Sequence, residues 1–146
     1  MKTTFVLCLT SILFLASTVR CGDDKEEIKM MEGTWKPTMA ELAGKKFPDE
    51  IVKTMKLVVM NDKYTVTVGE VIDKGTVKLD PSKKPKEIDI VGTDGPNKGK
   101  TFLAIYELDK DSLKVCYDLS GKARPTEFKT KPDTLLFLVT YSREKP

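Results

Sequence analysis

The chain contains no histidine. That absence excludes Ser-His-Asp and Cys-His nucleophilic sites, histidine general bases and every His-ligated metal centre. Cysteine is scarce too, and three residues build neither a disulfide framework nor a four-cysteine zinc site. Tryptophan occurs once, at Trp35. The longest apolar run, Phe5 to Ala16, has twelve residues, well short of the ~20 that a membrane-spanning helix needs. Neither charge dominates: 25 basic residues face 22 acidic ones. What is present is 146 residues at 40% hydrophobic and 32% charged, enough for one globular domain and no second core.

The amino end reads as an address. Lys2 supplies a positive start, Phe5–Ala16 an apolar centre, and Ala16, Ser17 and Thr18 the small residues that follow. Residues 1–21 are therefore expected to be a signal peptide, 22–31 a polar tether and short helix, and 32–146 the folded domain. The expected location is extracytoplasmic: periplasmic, envelope-attached or secreted. Two readings of Cys21 stand side by side. A cysteine after the apolar centre, followed by glycine and a charged tether, resembles a bacterial lipoprotein signal, in which a lipid on Cys21 holds the domain at a membrane surface. Thr18 and Arg20 depart from that pattern. Ordinary cleavage, after Thr18 or after Cys21, is the rival. Without a lipid, Cys21 becomes a disulfide partner for Cys116 in an oxidising compartment. Loss of Lys2 and Arg20 leaves 23 basic residues against 22 acidic, which gives no electrostatic basis for binding nucleic acid. The densest basic cluster, Lys83, Lys84 and Lys86, is broken by Pro85 and reads as a solvated turn.

The rest of the chain has period two. Strands are expected over 33–42, 57–60, 64–68, 76–79, 87–91, 101–108, 113–119 and 135–143, with a helical turn or two over 26–32 and a short helix over 49–54. Gly69 and Asp73-Lys74-Gly75 read as a bend. Gly92 to Gly99 reads as a long glycine-rich turn. About eight strands joined by short loops predict an all-β fold, an eight-stranded antiparallel up-and-down barrel, with a sandwich as the alternative.

Strand alternation assigns faces. Tyr64, Val66 and Val68 face in, as do Phe102, Ala104, Tyr106 and Leu108, and Leu113, Val115 and Tyr117. Cys116 shares the outer face with Lys114 and Asp118. In the last strand both faces are apolar: Phe137, Val139, Tyr141 and Arg143 share one, and Leu136, Leu138 and Thr140 the other. Inward tyrosines need hydrogen-bond partners. They either bond to one another, to water and to backbone, or line a cavity. A barrel of this size is at the limit where side chains fill the interior or leave one small site.

Gly33-Thr34-Trp35 resembles the G-x-W signature that opens lipocalin-like barrels. In those barrels an arginine near the end of the last strand packs across the tryptophan, and Arg143 stands at the matching place. A guanidinium stacked on an indole closes a barrel end and still bonds carbonyls. Over residues 32–143 the chain also resembles an uncharacterised bacterial domain family of the planctomycete type. The blocks that carry this resemblance are Gly33-Thr34-Trp35, Asp94 to Lys100, Ile105 to Leu108, Leu113 to Tyr117, and Arg124 to Phe128. The resemblance implies an exported lipocalin-like domain with an unspecified ligand.

The chemistry on offer is modest. Gly95-Pro96-Asn97-Lys98-Gly99-Lys100 lacks phosphate-loop spacing and no helix follows it, so it reads as a turn. Cys116 has no histidine to activate it. Arg124, in the long loop, either binds an anion at the barrel mouth or anchors the loop by a salt bridge. Asp89, Asp94, Glu107, Asp109, Asp111 and Asp118 read as outward or in turns, and suggest no acid–base pair. The expected function is non-catalytic binding of a small, partly apolar or amphipathic ligand inside the barrel, with no cofactor and no metal. Tyr64, Val66, Tyr106, Val115, Tyr117 and Phe137 are the candidate lining and Arg124 the candidate mouth residue. Gly33, Trp35 and Arg143 are the candidate closure. Two alternatives stand. One is a filled barrel whose loops bind a protein or glycan. The other, an enzyme, has no supporting motif.

Overall fold

The computed structural model describes residues 23–146. Residues 1–22, which include the expected signal peptide, Cys8 and Cys21, lie outside the described residues.

Asp23 caps the first helix, α1 (Asp24–Met31), by accepting from the Lys25 amide at 3.1 Å. A carboxylate there satisfies one of the free amides that begin every helix. Nine strands and one helical turn follow: β1 (Gly33–Leu42), β2 (Lys45–Lys46), α2 (Asp49–Val52), β3 (Met55–Met60), β4 (Lys63–Val68), β5 (Val71–Asp80), β6 (Lys86–Asp94), β7 (Thr101–Leu108), β8 (Ser112–Asp118) and β9 (Leu136–Arg143). β2 is a two-residue ribbon on the end of β1. The other eight strands pair in sequence order, all antiparallel, and β1 closes onto β9 from Trp35↔Arg143 to Leu42↔Phe137. This is the closed up-and-down barrel expected from the sequence, and closure leaves no long unpaired edge. The turns suit tight reversal: Asn61 and Gly69 adopt left-handed backbone at φ 54° and 59°.

The bend expected at Asp73-Lys74-Gly75 is strand. β5 runs on from Val71, and a register shift between Lys74 and Gly75 absorbs the irregularity. Gly75 is needed there, because a Cβ would lie 2.0 Å from the Val91 carbonyl and 2.6 Å from the Tyr64 ring.

One barrel end is a built floor. α1 lies across it, with Met31 buried and Ile28 packed on the core, while Met30 is half-exposed. Trp35, fully buried, donates from Nε1 to the Met31 carbonyl at 2.9 Å. The Arg143 guanidinium sits 4.1 Å from the Trp35 ring centroid. It also donates to the carbonyls of Glu32, of Met30 (2.6 Å) and of Lys110 (2.8 Å). A Cβ on Gly33 would lie 2.8 Å from Arg143 Nη1. The glycine of the G-x-W pattern therefore leaves room for the guanidinium.

The loop between β8 and β9 departs from the expected picture. It folds down the outer wall and covers a second core of Ile105, Cys116 and Leu138, with Met39 and Phe128 against it. Cys116 and Asp118 do stand on the outer face, yet both are buried beneath this loop. Asp118 was expected to face solvent. Instead it nucleates the loop, accepting from Ser120 N and Oγ and from Ala123 N at 2.6–3.0 Å. Burial pushes the Asp118 carboxyl up, but these hydrogen bonds outweigh it and hold it below the usual range.

Candidate functional site

The barrel is not filled. Above Met31 lies a cavity of about 360 Å³ whose walls are mostly apolar. It reaches solvent at the end opposite α1, where Phe47, Val68, Val71, Pro96 and Leu119 form the rim and Val71 is exposed. Around this mouth stand further exposed apolar side chains, Ile51, Ile72 and Leu135.

Tyr64, Val66, Val115, Tyr117 and Phe137 line the cavity. Each comes from the inward register of its strand, and Phe137 resolves the ambiguity of β9: its face, with Val139 and Tyr141, is the inner one. Phe137 stacks obliquely on Phe47 and Tyr117, with ring centroids 5.7 Å apart in each pair. Tyr106 and Arg124 need correction. Tyr106 faces inward but lies in the floor beneath the cavity, where its hydroxyl donates to Glu27 Oε1 at 3.2 Å. Lys86 Nζ reaches the same oxygen at 2.5 Å, so this lysine leaves the solvated turn expected for it and forms a partly buried ion pair with the buried Glu27. Arg124 stands on the outer wall. Its Nη2 bonds Asp89 at 2.6 Å, its Nη1 donates to the carbonyls of Ile88 and Ala104, and its Nε lies 3.4 Å from Glu87. It anchors the loop and takes no part in the mouth.

Two polar clusters interrupt the apolar wall. On one side the hydroxyls of Tyr117 and Tyr141 lie 3.4 Å apart, near the outer limit of a hydrogen bond. Burial raises both phenols, Tyr117 well above the usual tyrosine value and Tyr141 to about 12, where the contact with Tyr117 pulls the other way. On the other side Asp73, 8% exposed, accepts from Tyr64 Oη at 3.0 Å, from the Asn97 amide at 3.0 Å and from Asn97 Nδ2 at 3.1 Å. Burial raises the Tyr64 phenol first, and the bond to the Asp73 carboxylate adds to it. All three phenols are therefore neutral donors at ordinary pH.

Asp73 and Asn97 are the polar cavity residues that sequence reading passed over. The signal for Asp73 was there: Asp73, Gly75, Val77 and Leu79 share one parity, and the last is plainly core. The supposed bend at Gly75 hid that parity. The signal for Asn97 was absent, since its inward position comes from the 95–100 loop folding back, with Gly99 N on the Gly92 carbonyl at 2.9 Å.

Comparison with family models, with curated proteins and with solved structures finds no match. The site's own chemistry is what remains. Among the described residues, no group of three His, Cys, Asp or Glu side chains is gathered as a metal site. The buried carboxylates Glu27, Asp73 and Asp118 belong to three separate networks. The arrangement can bury apolar surface and offer a few fixed hydrogen-bonding groups.

Proposed function

We propose that this is an exported, non-catalytic binding protein that holds one small, partly apolar molecule inside its barrel. The cavity above Met31 carries the reading. Its volume of about 360 Å³ falls within the range of small-molecule sites, and its apolar walls with few placed polar groups match how such sites are built. The signal-like amino end supports export, and the block spacing over residues 32–143 supports membership in the planctomycete-type family. The open cavity weighs against the filled-barrel alternative.

The test is native mass spectrometry of the protein from the envelope fraction of its host, joined to titration with the fluorescent probe N-phenyl-1-naphthylamine. A stoichiometric added mass, lost on denaturation, is expected. So is probe uptake saturating at one per chain and abolished by Val66→Trp, which fills the cavity. A bare mass together with no probe uptake overturns the reading.

A further inference from the structure

We propose that the cavity selects amphiphiles bearing a protonated amine, with the Asp73 carboxylate as their anchor; this rests on the reading of the cavity as a ligand site. Among the described residues lining the cavity, Asp73 is the only charged side chain. No lysine or arginine of the described residues pairs with it. Its three partners, Tyr64 Oη, Asn97 N and Asn97 Nδ2, are all neutral. They hold the carboxylate in place and leave its negative charge facing an apolar space, where charge is weakly screened. A carboxylate offers about four acceptor positions. Three donors leave one for a ligand N–H.

The surroundings agree. The rings of Tyr64, Tyr117, Phe102 and Phe137 also line the cavity, and aromatic faces attract cations. A ligand carboxylate meets the opposite field. The cluster is also built at a cost in side chains. A Cβ on Gly75 would lie 2.6 Å from the Tyr64 ring, one on Gly92 2.0 Å from the Asn97 carbonyl, and one on Gly95 2.9 Å from Asp73 Cα. Three glycines thus make room for Tyr64 and Asn97 to converge on one carboxylate.

The test uses three amphiphiles of equal chain length at neutral pH: n-decylammonium, decanol and decanoate, each displacing N-phenyl-1-naphthylamine. Decylammonium is expected to bind about 10-fold or more tighter than decanoate, with decanol between them. Asp73→Asn removes the preference for decylammonium over decanol, while Tyr64→Phe, which keeps the carboxylate, retains it. Decanoate binding as tightly as decylammonium in the wild type overturns the proposal, and does so even where Asp73→Asn fails to fold. If decanol binds and charge makes no difference, the carrier reading stands and the amine proposal falls. If none of the three displaces the probe, the amine proposal falls, and the carrier reading falls with it only where the probe itself is not taken up and the native mass is bare.

Discussion

Arg143 and Trp35 are joined across the β1–β9 seam: the guanidinium lies 4.1 Å from the indole centroid, and the two side chains together hold three carbonyls of residues 30–32. One contact thus closes the barrel, fixes α1 and seals the floor. Trp35→Ala is expected to cost about 3–5 kcal/mol by cavity formation, read by urea unfolding. Arg143→Lys is expected to cost about 1–3 kcal/mol, because an ammonium cannot reach the same set of carbonyls from one planar fork. A loss below about 1 kcal/mol for Trp35→Ala contradicts the closing role.

Alkaline pH gives a second prediction. Burial raises all four tyrosines, Tyr64, Tyr106, Tyr117 and Tyr141, above the ordinary value. In the unfolded chain each ionises near about 10. Above that pH the unfolded state holds fewer protons than the native state, so stability falls as pH rises. The tyrosines' contribution is complete below about pH 10. Tyrosinate absorbance is expected to appear together with the loss of native Trp35 emission, in one cooperative step. Phenols that titrate near pH 10 in a protein with unchanged Trp35 emission contradict the burial of these hydroxyls.

The outer loop gives a third. Arg124→Ala is expected to cost about 1.5–3 kcal/mol of stability through its lost charged hydrogen bonds, and to leave N-phenyl-1-naphthylamine affinity unchanged. An affinity loss without a stability loss would return Arg124 to the mouth. On the acid side, the lowered Asp118 carboxyl contributes stability that is complete above about pH 3.9 and is lost as pH falls through its native value. Asp118→Asn is expected to flatten that part of the acid unfolding curve.

Cys116 gives a fourth. It is fully buried beneath the same loop, burial raises its thiol, and its Sγ lies 3.7 Å from the Lys129 carbonyl. It is expected to resist thiol reagents in the native protein and to react on unfolding. Asp118→Ala, which frees the start of the loop, is expected to speed that reaction. A disulfide to Cys21 requires the loop to lift, so mass spectrometry without reductant is expected to find Cys116 free.

The strands were legible because each repeats its parity over several residues: Tyr64-Thr65-Val66-Thr67-Val68 has one apolar face to hide, and eight such strands with short connections favoured a barrel over a sandwich. The cavity lining followed from the same parity. Space itself was not legible, since Tyr106 and Tyr117 carry the same inward register and only the height of α1 puts one in the floor and the other in the wall. Glu27 read as a charged residue at the start of the helical turn after the tether, and its ion-pair partner Lys86 is 59 residues away. Arg124 was equally readable as anchor or mouth residue, because the sequence does not say which way a long loop folds. Those three cases share one cause. Each is decided by contacts between segments far apart in the chain, where local periodicity carries no information.

The two barrel ends differ in kind: α1, Trp35 and Arg143 weld one shut, while the other is ringed by Ile51, Val71, Ile72 and Leu135. A molecule held in the cavity would therefore enter and leave by the same end. The chain enters the domain through α1, on the welded side. Any attachment made before residue 23 accordingly joins the domain on its closed side, the side away from the cavity mouth.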